Sequence, residues 1–461
     1  MSMKIFSTRL HPDLPIFRLD SDDQSYIYTP GYSCVVTREE ADELHSIFAS
    51  NKSCFSASLE KLTTSLENSS RHSQEEWQKL CEMPFEPVCL TIYLSNHCNL
   101  RCSYCFAAPA RLDRRMDKSS LRKKRVQNIG LPVIQEKIAE HAARIVASYC
   151  VQKNRPFTLV LHGGGEPTLH WKQLQRLVSL TQDVAKEHDI DWWGYIATNG
   201  VLSENKVKWL AGHFDMIGLS CDGPPMIQDV QRPTIRGAGT SKVLERTARL
   251  LKQSGTPYAV RATITPENAE YQLEIVNYIY GTLGANTIHF EPVFDPWDTA
   301  TSKFLPADAE NFVMGFLSAQ RLAKQLGCEL SLSGVRPDEI HGPYCNVLRD
   351  VLQLTPDGVV SACFLCTDGN KANDVTISLT KLKPDDTSFL PELDRIAGIR
   401  RRALAIPSQC FQCINIYHCV RECPEGCPVT NEDYYPRPEG FRCQVYKRLT
   451  AEWIFRTTVE R

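Results

Sequence analysis

From residue 89 to about residue 327 the chain alternates short β-rich runs with longer helical ones. That alternation restricts the fold more than any other feature. Strands are expected at Cys89–Leu94, Phe157–His162, Trp192–Ala197, Asp215–Ser220, Tyr258–Ile264 and Thr287–Glu291. Helical stretches are expected near 132–150, 170–188, 203–211, 241–253, 268–281 and 307–327. Six βα units in a row imply an α/β fold with a parallel sheet and right-handed crossovers. Six strands suit an open, partial (β/α)6 barrel better than a closed eight-stranded one. The polar, glycine-rich motifs all fall at strand C-termini: Gly163–Pro167, Thr198–Gly200, Ser220–Pro224, Thr265–Asn268 and Glu291-Pro292. That is the active end of a parallel β/α barrel.

The loop after the first strand holds Cys98, Cys102 and Cys105 at the spacing C-x3-C-x2-C. Three thiolates can ligate a [4Fe–4S] cluster and leave one iron open for chemistry. A zinc knuckle or three buried thiols is the plainer reading. The spacing, with Tyr104 just before the third cysteine, resembles the signature of radical S-adenosylmethionine (SAM) enzymes. The resemblance implies that the open iron chelates SAM and that one electron from the cluster cleaves it to a 5′-deoxyadenosyl radical. It further implies that Gly164, Gly165, Glu166 and Pro167 meet the methionyl ammonium. Asn199, Ser220 and Asp222 are placed at the ribose and methionine, and Tyr104 near the adenine. Arg232 is a candidate to fork the SAM carboxylate, because a guanidinium binds carboxylates bidentately. His97 and His162 flank these motifs as ligand or base candidates, with a structural role the simpler reading.

Nineteen cysteines is a high count, and they cluster: three at 98–105, nine between 345 and 443. The C-terminal string reads Cys345-x12-Gly358-x4-Cys363, then Cys410-x2-Cys413-x5-Cys419-x3-Cys423, then Cys443. Part of it could be a zinc ribbon, but seven cysteines exceed one tetrahedral site. The string resembles the SPASM extension of radical SAM peptide-modifying enzymes, which carries two auxiliary [4Fe–4S] clusters, giving three in all. The resemblance implies a distal cluster on Cys410, Cys413, Cys419 and Cys443. A proximal one would sit on Cys345, Cys363 and Cys423, with Cys366 and Cys427 as candidates for the fourth ligand; if neither reaches, that iron is open to a substrate thiolate or amide. The expected domains are a small N-terminal α+β block at 1–86, the barrel at 87–330 and the iron–sulfur SPASM domain at 331–461.

The 1–86 block holds 8 basic and 14 acidic residues. Its runs at 16–19, 26–29 and 34–36 read as strands, and Thr37 with Glu40 as a capping box opening a helix to about Phe48. It is expected to be a leader-recognition-like domain or a cap on the barrel. A net charge of −2 gives no general pull toward nucleic acid or membrane. No signal-peptide pattern or membrane-length apolar run is visible, so a cytoplasmic location is expected. A basic run at 111–125, eight basic residues against two acidic, could contact RNA or an acidic leader, or be a solvated loop.

The family resemblance thus leads to a maturase of a ribosomally made precursor peptide with a leader. Its electron donor would be one such as flavodoxin or ferredoxin. The alternative is an anaerobic sulfatase-maturating enzyme that makes formylglycine. Those enzymes carry an Asp, a proposed base, directly after the second cysteine of the array, where this chain has Phe364. An RNA-modifying radical SAM enzyme is the weakest reading. No catalytic acid or base is identifiable in the sequence.

Overall fold

The computed structural model describes residues 7–21, 24–50, 56–105, 107, 131–294, 303–367, 378–383, 393–423, 427 and 440–459. The basic run at 111–125 lies outside them. Two sheets organise the chain. The first is antiparallel, in the order β1-β2-β3-β4: Ser7–Arg9, Phe17–Asp20, Ser25–Thr29 and Tyr32–Val36. The Thr37 capping box forms as expected: Glu40 N donates to Thr37 Oγ1 at 3.1 Å and Thr37 N to Glu40 Oε2 at 2.8 Å. It opens α1, Arg38–Ser50. The long α2, Ala57–Glu82, follows, with the Ser56 side chain accepting from Leu59 N at its start.

The second sheet contains all six expected strands: β5 Cys89–Ile92, β6 Phe157–Leu161, β7 Trp192–Thr198, β8 Met216–Ser220, β9 Tyr258–Ile264 and β10 Thr287–Pro292. They lie parallel and in sequence order. Helices α3 (Glu136–Lys153), α4 (Trp171–Glu187), α5 (Glu204–Ala211), α6 (Pro225–Gln231), α7 (Ser241–Ser254), α8 (Gln272–Tyr278) and α9 (Ala309–Leu326) fill the crossovers. Apolar residues alternate along the strands, as a sheet with one helix-covered face requires. Leu159, Leu161, Ile196, Ile217, Val260, Ile288 and Phe290 are fully buried among the helices.

The sheet is larger than the six-unit reading. A parallel strand β11, Glu329–Leu332, extends one edge beyond β10. On the other edge β12 (Val351–Leu354) pairs parallel with β5, and β13 (Val359–Ser361) and β14 (Ser378–Lys381) continue antiparallel. One ten-stranded open sheet therefore runs from the barrel into the cysteine-rich region. These added strands are three or four residues long, too short for a period to show.

The last helix, Phe441–Val459, joins the parts. Phe441, Val445 and Leu449 pack with Phe312 and Phe316 of α9, while Ala451 and Ile454 pack with Phe17 and Tyr26 of the first sheet. Trp77 of α2 stacks on Tyr417 at 5.2 Å, and the Arg421 guanidinium lies 4.6 Å from the Trp77 ring centre. No helix among the described residues is long and apolar enough to cross a membrane.

Candidate active site

The cysteine loop leaves β5 and is held by the glycine-rich loop after β6. Gly165 N donates to Ser95 O at 3.0 Å, and Glu166 N to His97 O at 2.7 Å. The closeness excludes side chains. A Cβ on Gly165 would sit 1.9 Å from His97 O, and one on Gly164, whose φ is +65°, 2.6 Å from Asn96 Oδ1. Pro167 opens a 3-10 turn through Leu169.

Glu166 is buried and ties two strand ends together. Its Oε1 accepts from Thr168 N (3.2 Å), Thr168 Oγ1 (2.6 Å) and Thr198 Oγ1 (2.8 Å), and its Oε2 from Asn199 N (2.8 Å). A carboxylate has about four lone-pair sites, so the protein nearly saturates it. The Asn199 amide is likewise engaged: it donates to Asn99 Oδ1 at 2.8 Å and accepts from Val201 N at 3.0 Å. Both residues position the loops around the cysteines.

Cys98, Cys102 and Cys105 lie close enough that each thiolate would feel the others. Burial pushes the Cys98 and Cys102 thiols up to about 12, while Arg232 acts in the opposite sense. Tyr104 OH donates to Asp222 Oδ2 at 2.6 Å, and Arg232 Nη1 donates to Tyr104 OH at 2.7 Å and lies 3.7 Å from Asp222 Oδ1. Asp222 is fully buried; burial raises its pKa, opposed by Arg232 and then by Tyr104 and Thr263 N. Ser220, half-buried, ends β8 beside this group.

Among the described residues, four buried polar atoms beside the loop lack a protein partner: Asn96 Oδ1, His97 Nε2, Gln231 Oε1 and Arg232 Nε; of these Arg232 Nε is a donor and Asn96 Oδ1 an acceptor. An amino-acid zwitterion offers the complementary pair, a carboxylate and an ammonium. With three gathered thiols and a cradle that a Cβ would fill, the residues fit SAM on a three-cysteine cluster.

The barrel face opposite the helices is polar. Ser220, Arg261, His289 and Ser331 pair in one row across four strands. Arg261 Nη2 reaches Glu291 Oε2 at 2.8 Å, yet its side chain stays 57% exposed. Glu291 Oε1 also lies 3.6 Å from Arg442 Nη1. His289 touches Ser331 Oγ at 2.9 Å and Ser333 Oγ at 2.5 Å. Burial first, then Arg261, lowers His162 and His289 to about 4, so both are neutral at pH 7. His97 faces His170 across 2.6 Å, a structural pairing of two rings.

The C-terminal cysteines fall into two sets. Cys410, Cys413, Cys419 and Cys443 line one cavity with Arg421 and Lys447. Cys345 and Cys363 are pushed well above the usual thiol range by burial, and further by Cys423 and Cys427. Cys427 thus gathers with the other three. Cys366 is fully buried near Tyr93, and its carbonyl accepts from Gln353 Nε2. Among the described residues, no three His, Cys, Asp or Glu side chains form a single-ion site. Four thiolates lining one cavity are a donor set that suits either an iron–sulfur cluster or a single metal ion. Phe364 packs edge-on to Phe294 and Tyr344, each at 6.2 Å, and its carbonyl accepts from Tyr93 OH at 2.6 Å.

This fold and site define a class, and the comparisons agree. Residues 92–279 match the model of the radical SAM superfamily. These residues thus carry a radical SAM domain, the kind that uses SAM and a [4Fe–4S] cluster, and the chain is similar to anaerobic sulfatase-maturating enzymes. It is 25% identical over 185 residues to the cysteine-type anaerobic sulfatase-maturating enzyme of Clostridium perfringens, covering 40% of this chain and 46% of that one. It is 24% identical over 200 residues to the serine-type enzyme of Bacteroides thetaiotaomicron, covering 43% and 44%. The chain thus spans about half the length of these curated relatives. In structure it resembles anSMEcpe with bound AdoMet (TM-score 0.62, 18% identity, 81% of this chain and 98% of that one). It also resembles Streptococcus suis SuiB bound to its precursor peptide SuiA (TM-score 0.51, 16% identity, 92% and 99%).

Proposed function

We propose that this chain is a peptide maturase that abstracts hydrogen from a ribosomally made precursor and installs a crosslink or related change. The observation that carries the reading is the four-stranded N-terminal sheet, seated on the cysteine-rich region through Tyr28, Trp77 and Ile454. A sheet with an open edge can take an extended leader as a further strand. SuiB, whose structure holds a precursor peptide, matches 92% of this chain, against 81% for anSMEcpe.

When bound, SAM and its cluster supply one-electron abstraction of hydrogen from an unactivated carbon. The chain's own residues do the placing. Glu166 locks the loops after β6 and β7, Asp222 and Arg232 fix Tyr104 beside Cys105, and Arg232 Nε and Asn96 Oδ1 would receive the zwitterion's carboxylate and ammonium. Cys410, Cys413, Cys419 and Cys443 would hold one auxiliary cluster. Cys345, Cys363, Cys423 and Cys427 would hold the other, with no iron left open.

Sulfatase maturation is the second reading, favoured by the names of the curated relatives. Phe364 in its aromatic setting counts against it, since no carboxylate stands there. Incubating the anaerobic holoenzyme with leader-bearing precursor peptides, and with a sulfatase peptide carrying Cys or Ser, separates the two by product mass. A proline placed mid-leader should abolish turnover in the first case, by removing a main-chain donor. Formylglycine in the sulfatase peptide would overturn the proposal.

A further inference from the structure

The outer side of the cysteine loop presents apolar side chains to solvent. After α6 the chain runs beside the loop as a short main-chain ladder. Ser103 N donates to Gln231 O (3.0 Å), Arg101 N to Pro233 O (2.8 Å) and Ile235 N to Asn99 O (3.0 Å). Leu100 and Thr234 form an antiparallel bridge. Gln228 and Gln231 turn inward and are buried. Met226 and Val230, one helical turn apart, point out and are 62% and 73% exposed; Ile235 is 44% exposed. Arg101 and Arg236, one on each segment of the ladder, are exposed as well. The one acid between Pro224 and Thr240, Asp229, is engaged by Thr240 N, Ser241 N and Ser241 Oγ within 2.9 Å. The exposed side chains on these two segments are therefore apolar or positive.

We propose that this surface docks an acidic one-electron carrier protein, which reduces the cluster held by Cys98, Cys102 and Cys105. The proposal rests on the radical SAM reading of those cysteines. SAM cleavage consumes one electron that the chain must receive from outside. Arg101 is adjacent to Cys102 in sequence, so a carrier on this face stands next to a cluster ligand. Exposed apolar side chains together with charged ones are usual in a transient interface, and the two arginines select an acidic partner and speed its encounter. A peptide substrate is the poorer occupant, because its reacting carbon must reach the barrel face where Ser220 and Arg261 stand. In the docked pair the carrier loses one electron and the cluster passes from its 2+ to its 1+ state; no atom is transferred.

The test compares two reductants on the anaerobic holoenzyme, following the cluster's visible absorbance in stopped flow. The probes are reduced flavodoxin, with a reduced ferredoxin as second carrier, and dithionite, which needs no docking. In the Val230→Glu/Arg236→Glu variant, reduction by the carriers should slow at least tenfold while reduction by dithionite is unchanged. Flavodoxin binding to the wild type, measured directly, should weaken as salt is raised. Carrier-driven reduction at the wild-type rate overturns the assignment. So does equal slowing with both kinds of reductant, which would make the patch structural. A wild-type dimer that the variant dissociates would show the face to be a subunit contact and also overturn it. Val230→Ser, a milder change, should give an intermediate loss with the carriers alone.

Discussion

Tyr28 OH lies 2.9 Å from His418 Nε2, across a buried seam between the N-terminal sheet and the cysteine-rich region. His418 Nδ1 faces the Glu339 carbonyl, which can only accept, so the ring proton sits there and Nε2 accepts from the tyrosine. Burial lowers His418 to about 4 and keeps this neutral tautomer. Tyr28→Phe removes the donor and strands a buried acceptor. The expected loss is about 1–3 kcal/mol in anaerobic denaturant unfolding. A change within error would mean that water replaces the hydroxyl.

Cluster content tests the ligand sets. Three [4Fe–4S] clusters correspond to about twelve iron per chain. Cys427→Ala should disturb the spectrum of one auxiliary cluster, and Cys366→Ala should leave all three intact. Iron analysis and Mössbauer spectra of the two variants decide it; the reverse outcome would move the fourth ligand to Cys366.

Replacing Glu166 with Gln puts an amide N–H₂ where four donors converge. Loss of charge-assisted bonds costs about 1.5–3 kcal/mol. The loops after β6 and β7 should loosen, and SAM binding by equilibrium dialysis should weaken roughly tenfold or more, since 1.4 kcal/mol is tenfold. Unchanged SAM affinity would confine Glu166 to fold stability.

Arg232→Lys keeps the charge but loses the planar fork that reaches Tyr104. SAM binding should weaken, and Tyr104→Phe should reproduce part of the loss. If Tyr104→Phe is silent while Arg232→Lys is severe, Arg232 contacts SAM directly through Nε. If neither changes SAM affinity, the group serves the fold alone.

The barrel face has a pH signature. His162 and His289 titrate near 4 in the folded chain and about 6.5 unfolded. Below about pH 6.5 the unfolded state therefore takes up protons first. Stability should fall as pH drops from 6.5 to 4 and level off below. Arg261→Gln removes a cation facing both rings and should raise both titration midpoints in histidine NMR spectra. Unmoved midpoints would leave burial as the sole cause.

The sequence revealed the parts that repeat or punctuate. Six strands appeared within a residue or two of their ends, because their apolar runs are bounded by glycine-rich loops. The expected helix at 268–281 is instead a 3-10 turn, α8 and a π-helical turn at Ile279–Leu283, a distinction of hydrogen-bond register that side-chain pattern does not carry. The expectations missed α2, whose buried face is sparse and includes Ser70 and Ser73 between Leu66 and Trp77, and the last helix, whose buried residues face two different neighbours. The three-cysteine loop was fully legible. The engagement of Arg232 with Tyr104 was not, since they stand 128 residues apart and meet only through the fold.

The join between β12 and β5 fixes more than a sheet edge. Tyr93 N bonds Leu354 O at 2.9 Å, Tyr93 OH bonds Phe364 O at 2.6 Å, and Asn96 Nδ2 bonds Thr367 O at 2.9 Å. The stretch entering the first cysteine loop is thus stitched to the stretch leaving Cys363. If both regions hold clusters, an electron passing between them would have a covalent and hydrogen-bonded path of fixed length. The interval between them is set by strand register, as in a single rigid sheet.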